Sequence, residues 1–227
     1  MAVHRLARCA SKPTEIHWEA CVRMLGYIKR VQPLRPRLRY RQRREGDPEV
    51  PELVCYCDAS YATALDGRSV TGWVFFLAGA AISSHTGLQR INALSATEAE
   101  FIAISDACKH GGCLIQLLGE MGMDVRPFRF YEDNEGAMKL TKEYVFFKRS
   151  KHILNRYYHV RRLVADGWVD LHHVGTSEQV ADVLTKALKP TNQFEYLTSK
   201  LLWFDSTVAI AGGILVGVND LLSRFSG

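Results

Sequence analysis

The chain has 227 residues, 47% of them hydrophobic, 23% charged and 10% aromatic, with a formal net charge of +5. That composition excludes a collagen-like, low-complexity or disordered chain. The length suits one domain, or one domain plus an appendage, enough to bury a core without staples.

The first predicted element is a helix over 13–30, with Thr14 as its N-cap. Trp18, Cys21, Val22, Leu25 and Ile28 form its apolar stripe. Residues 31–51 are rich in Pro and Arg, with a turn signal at Gly46-Asp47-Pro48, and read as a linker or an isolated edge strand. Strands are predicted over 53–58, 70–77 and 80–85, the last two joined by Ala78-Gly79 as a tight turn. A long helix over 97–121 buries Ala103, Ala107, Leu114, Leu117 and Leu118. Then come a strand over 127–132, helices over 133–141 and 152–166, a strand over 168–174, and helices over 177–188 and 191–202. Short turns between the first three strands imply antiparallel pairing, and helical crossovers between the later ones imply parallel pairing. Trp18, Trp73, Trp168 and Trp203 read as core or near-core residues. The six cysteines include no C-x-x-C pair of the zinc-binding kind, so they read as small buried hydrophobes in a reducing compartment. The longest apolar run, Val208–Val218, is shorter than the ~20 residues a membrane span needs. The N-terminus carries no continuous apolar stretch. The expectation is an intracellular protein, cytoplasmic or nuclear, with no membrane partner and no secretion.

Charge is unevenly placed. Residues 1–44 carry +10 and the remainder −5. Such asymmetry is a first hint of a nucleic-acid partner. Arg35, Arg37, Arg39, Arg41 and Arg43 fall on alternate positions. If that stretch is extended, period two sets the five guanidiniums on one face, where they can track a phosphate backbone. A solvated basic linker accounts for them equally well.

In the acidic remainder, carboxylates stand at four element ends. Asp58 ends the first strand, Glu98 and Glu100 lie in the first turn of the long helix, Asp133 ends the fourth strand and Asp182 lies in the first turns of a late helix. Singly, each is explained as a cap, a turn residue or a partner of a helix dipole. Together they lie where open α/β sheets bind ligands. Carboxylates brought together there repel and call for hard divalent cations such as Mg²⁺ or Mn²⁺.

Six segments in order resemble the ribonuclease H domain of copia-type LTR retrotransposon polyproteins: YCDASYA, DGRSVTGWVFFLAG, ALSATEAEFIAIS, FYEDNEGAM, RSKHILNRYYHVR and TSEQVADVLTKAL. They cover about residues 52–200. Upstream, SKPTEIHWEACVRMLGYIKR is similar to the segment that connects the reverse transcriptase to that domain. The resemblance implies an α/β, ribonuclease H-like fold: a mixed five-stranded sheet, three antiparallel strands then parallel ones, with helices on both faces. It implies three regions, a basic connection segment over 1–51, the ribonuclease H-like domain over 52–190, and a C-terminal helix with an apolar tail over 191–227. It implies a hydrolase, a metal-dependent endonuclease that cuts the RNA strand of RNA–DNA hybrids. Asp58, Glu100, Asp133 and Asp182 then hold two Mg²⁺ ions (Mn²⁺ as a substitute), with no small-molecule cofactor. Glu98 lies two residues before Glu100, about 200° away round the helix, so only one of the pair faces the site. Ser69, Gln89, Asn134 and Lys151, with the five arginines, are the expected nucleic-acid contacts. The expected partners are the hybrid and the reverse transcriptase portion of the same polyprotein. The segment before Asp182, GTSEQVAD, lacks the histidine that many cellular ribonucleases H carry there, which implies slower turnover. The alternative is a catalytically silent transposon remnant that binds nucleic acid or a partner.

Overall fold

The computed structural model describes residues 2–32, 36–42, 44–64, 66–142, 151–188 and 191–203. Arg35, Arg43 and the apolar run 208–218 lie outside these residues, as does the Lys151 side chain. The chain divides into two units, Met1–Arg39 with Lys186–Gly227, and Tyr40–Thr185.

In the first unit, α1 (Ala2–Ala7) is followed by α2 (Glu15–Val31), with Thr14 as N-cap. The expected burial of α2 does not hold. Trp18, Val22, Leu25 and Ile28 are 67%, 49%, 56% and 52% exposed. The covered side instead carries Ala20 and Val31, with His17, Met24 and Tyr27 half-buried. Both sets recur at helical spacing, so α2 is apolar on two faces, and periodicity pointed to the greasier one.

The second unit holds the whole sheet. Its strands are β1 (Leu53–Ser60), β2 (Val70–Leu77), β3 (Ala80–Leu88), β4 (Phe128–Glu132) and β5 (Val169–His173). Their spatial order is β3-β2-β1-β4-β5. The first three strands pair antiparallel, and β4 joins β1, and β5 joins β4, in parallel. This is the mixed, ribonuclease H-like arrangement expected. Ala78 and Gly79 both take positive φ, 50° and 79°, which makes the β2–β3 connection a two-residue hairpin.

Between β3 and β4 runs α3 (Ala96–Glu120), whose N-cap Ser95 accepts the Glu98 N–H. Its buried face follows Phe101, Ile104, Cys108, Gly111, Ile115 and Leu118, a 3–4 alternation. Leu117 lies off that line and is 53% exposed. Leu53, Cys55 and Cys57 alternate along β1 onto the same core as α3, each 0% exposed.

After β4 come α4 (Glu135–Lys142) and α5 (Lys151–Ala165). The helix expected over 177–188 is broken. A 3₁₀ turn, Thr176–Glu178, precedes the short α6 (Asp182–Thr185), with Gln179 extended between them at ψ 97°. The cause is a competing bond: the fully buried Gln179 side chain donates from Nε2 to the Cys57 carbonyl at 2.7 Å. There β1 has run past the end of its pairing with β4 at Tyr56, and the amide takes over that edge of the strand. On the face opposite Trp73, α6 packs against Gly72, so helices cover both faces of the sheet.

Returning to the first unit, α7 (Thr191–Leu201) is followed by Trp203, which exchanges backbone hydrogen bonds with Arg37.

Candidate metal centre

Asp58 stands near the end of β1, opposite Gly72 of β2, and is 0% exposed. A Cβ on residue 72 would lie 2.5 Å from Thr185 Cγ2 and 2.9 Å from Leu184 Cβ. Only glycine there lets α6 approach this closely. The approach brings Thr185 Oγ1 within reach of Asp58, and its hydroxyl donates to Asp58 Oδ2. A buried carboxylate is thereby given a neutral donor that fixes its orientation.

Glu100 enters from the second turn of α3 and is buried. Its neighbour Glu98 is occupied at the helix start, where Oε2 accepts the Leu94 N–H at 2.9 Å. The spacing argument required one glutamate to face the site, and Glu100 does so. Asp133 follows β4 directly and is half-buried. The next residue, Asn134, caps α4, with Oδ1 accepting the Ala137 N–H at 2.9 Å. One ligand oxygen from each of Asp58, Glu100 and Asp133 lies within 4.8 Å of the others.

At that separation each pair of ionised carboxylates repels by about 3 kcal/mol at an effective dielectric of ~20. Three pairs approach the whole stability of an ordinary domain. A hard divalent cation relieves this and matches an all-oxygen donor set. The three carboxylates are thus compatible with coordinating one. Asp182 is buried at the start of α6 but does not join the three-oxygen set.

Beside the cluster lies a glutamate that sequence reasoning missed. Glu132 is 0% exposed. Burial, and then the nearby Glu100 charge, hold its carboxyl well above the usual range. The available signal was the alternation Phe128, Phe130, Glu132, which places a charged residue on an apolar strand face.

The expected nucleic-acid residues are differently placed. Ser69 is 0% exposed and its Oγ accepts the Ala62 N–H at 3.1 Å. Gln89 is 2% exposed and donates from Nε2 to Thr71 Oγ1 and to the Ala99 carbonyl, at 3.1 and 2.8 Å. Ser69 thus ties the loop after β1 to the start of β2, and Gln89 ties the end of β3 to β2 and to the start of α3. In the first unit, Arg39 lies over the Trp203 ring at 5.2 Å. In the second, Arg41 pairs with Asp47 at 3.1 Å, and its N–H donates to the Ala78 carbonyl. Residues 36–42 form no strand beyond the single bridge at Arg37.

No protein-family model matches the chain. Among curated proteins, it is 36% identical over 200 residues to the retrovirus-related Pol polyprotein from transposon TNT 1-94 of Nicotiana tabacum, covering 86% of this chain and 14% of that protein. It is 33% identical over 198 residues to the polyprotein from transposon RE2 of Arabidopsis thaliana, covering 82% of this chain and 12% of that protein. This is a ribonuclease H-fold domain related to LTR-retrotransposon Pol polyproteins. The domain spans about one-seventh of the length of the first of those relatives. A solved structure, the N-terminal RNase H domain of rv2228c from Mycobacterium tuberculosis, aligns with 66% of this chain and 97% of its own, at 11% identity and a TM-score of 0.44. Among the described residues no helix is long and apolar enough to cross a membrane.

Proposed function

We propose that the domain is a divalent-metal-dependent endonuclease that hydrolyses the RNA strand of RNA–DNA hybrids, as one part of a retrotransposon polyprotein. The observation that carries this is the convergence of Asp58, Glu100 and Asp133 from three separate elements to within 4.8 Å. These three carboxylates hold the cation, with Asp182 as a fourth acid close in sequence to Thr185, and two Mg²⁺ ions are the reading's full complement. When bound, such ions acidify a water and neutralise charge on a phosphodiester.

The chain's own residues do the positioning. Thr185 orients Asp58 through its hydroxyl. Glu98 and Ser95 fix the first turn of α3 and so the direction of Glu100. Asn134 caps α4 and sets the turn that carries Asp133. The basic segment around Arg37, Arg39 and Arg41 supplies sequence-independent attraction to phosphates, with Arg35, Arg43 and Lys151 adding to the same charge. The 2′-hydroxyls of the hybrid distinguish its RNA strand from DNA. The reverse transcriptase portion of the same polyprotein is the proposed partner.

The test is cleavage of a labelled RNA–DNA hybrid in Mg²⁺, with Asp133→Asn in parallel. Cutting of the RNA strand by the parent and its loss in the variant are expected. A folded parent that cuts in neither Mg²⁺ nor Mn²⁺ refutes the enzymatic reading. It leaves a nucleic-acid-binding remnant, recognisable by salt-sensitive affinity.

A further inference from the structure

The third inward position of β4 holds a residue its pattern does not call for. Phe128 and Phe130 turn buried rings to the core, and Glu132 follows them onto the same face at 0% exposure. Its Oε1 accepts the Asn134 N–H at 3.2 Å, and its Oε2 has no hydrogen-bond partner. Burying a carboxyl with one oxygen unpaired is unfavourable. A leucine would serve the strand better, so the glutamate must contribute something a leucine cannot.

What it contributes is a bond across the turn. The peptide group that joins Asp133 to Asn134 is gripped at both ends. Its N–H donates to Glu132 Oε1, and its C=O accepts from His173 Nε2 of β5 at 3.2 Å. The preceding peptide is held as well, because the Val174 N–H donates to the Glu132 carbonyl at 3.0 Å. Beyond the end of β4 no ladder bond restrains this peptide, and an unclamped turn peptide rotates readily. Rotation swings the Asp133 carboxylate away from Asp58 and Glu100. Displacements of about 1 Å at such a site cost on the order of 100-fold.

We propose that Glu132 is a positioning residue: through the Asn134 amide it fixes the peptide after Asp133 and so aims the Asp133 carboxylate at Asp58 and Glu100. His173 is the opposing half of the clamp. This rests on the metal-centre reading above, and the experiment separates the two.

Mn²⁺ binding to the full chain is measured by calorimetry for the parent, Glu132→Gln, Glu132→Met and Asp133→Asn. Amide hydrogen exchange of Asn134 is followed by NMR without metal. Glutamine keeps an acceptor for the Asn134 N–H, so Glu132→Gln holds the parent affinity within about threefold. Glu132→Met loses about 10- to 100-fold, the usual effect of removing a group that orients a ligand. The Asn134 amide is protected in the parent and in Glu132→Gln. A folded Glu132→Met with parent affinity overturns the proposal. So does a Glu132→Gln as weak as Glu132→Met, or a fast-exchanging Asn134 amide in the parent. If Glu132→Met does not fold, affinity and amide protection in Glu132→Gln decide the matter alone. A parent chain that takes up no Mn²⁺ overturns the metal-centre reading instead, while a protected Asn134 amide would still support the clamp.

Discussion

Substituting Gly72 by alanine tests whether α6 is pressed against β2 as described. The new Cβ would sit 2.5 Å from Thr185 Cγ2 and 2.9 Å from Leu184 Cβ. Carbon atoms pack at ~3.5–4.0 Å, so α6 must retreat by about 1 Å. Overpacking of this kind costs about 1–3 kcal/mol, which in a chain of this length lowers Tm by roughly 2–12 °C. The retreat also carries the Thr185 hydroxyl away from Asp58, so hybrid cleavage falls by about 100-fold. A compensating change is available. Thr185→Ser deletes the clashing Cγ2 and keeps Oγ1, so the double variant recovers at least half of the Tm loss and part of the activity. Thermal unfolding by circular dichroism and cleavage assays on the four proteins of this cycle read the coupling directly. A Gly72→Ala protein with parent Tm and parent activity would refute the reasoning, as would a double variant no better than the single.

Glu100→Gln abolishes hybrid cleavage yet raises the Tm of the metal-free protein by roughly 12–24 °C, by removing two repulsive pairs of about 3 kcal/mol each. Scanning with and without Mg²⁺ checks this, since the parent should gain far more from the ion than the variant. Burial lowers the pKa of His85 and of His110, with the Asp106 charge partly opposing the effect at His85. The unfolded chain therefore binds more protons between those lowered values and 6.5, so stability rises with pH across that window and is fully present above it. The urea midpoint should drop between pH 7.5 and pH 5, less so in His110→Gln, and an equal drop in both would refute it. Trp18→Ala on the exposed side of α2 shifts stability by no more than about 0.5 kcal/mol, whereas Trp73→Ala in the core costs about 3–5 kcal/mol. Urea titration ranks the two.

Where one chemical rule acted alone, the sequence was readable. Ala78-Gly79 turned a hairpin because the primed turn demands positive φ. The ends of β1 and β4 placed Asp58 and Asp133, and the 100° step of a helix separated Glu100 from Glu98. The helix expected over 177–188 failed for a different reason, a long-range partner outweighing a local preference. Gln179 broke a helix that periodicity favoured because the Cys57 carbonyl lay within reach. Leu117 fell off the buried line of α3 by one position. Ser69 and Gln89, the positions the resemblance assigned to nucleic acid, also hydrogen-bond within their own unit. Glu132 was passed over since Asp133 beside it fitted the motif, although the alternation Phe128, Phe130, Glu132 marks it as inward-facing.

The clasp on Asp58 also has a consequence for timing. Thr185 is 127 residues downstream of the carboxylate it holds, and Gln179 is 122 residues from the strand carbonyl it completes. Contacts of such sequence separation form late and slowly. As the chain leaves the ribosome, Asp58, Glu100 and Asp133 all emerge before residue 185 does. The hydroxyl that orients Asp58 is thus among the last parts of the unit to become available.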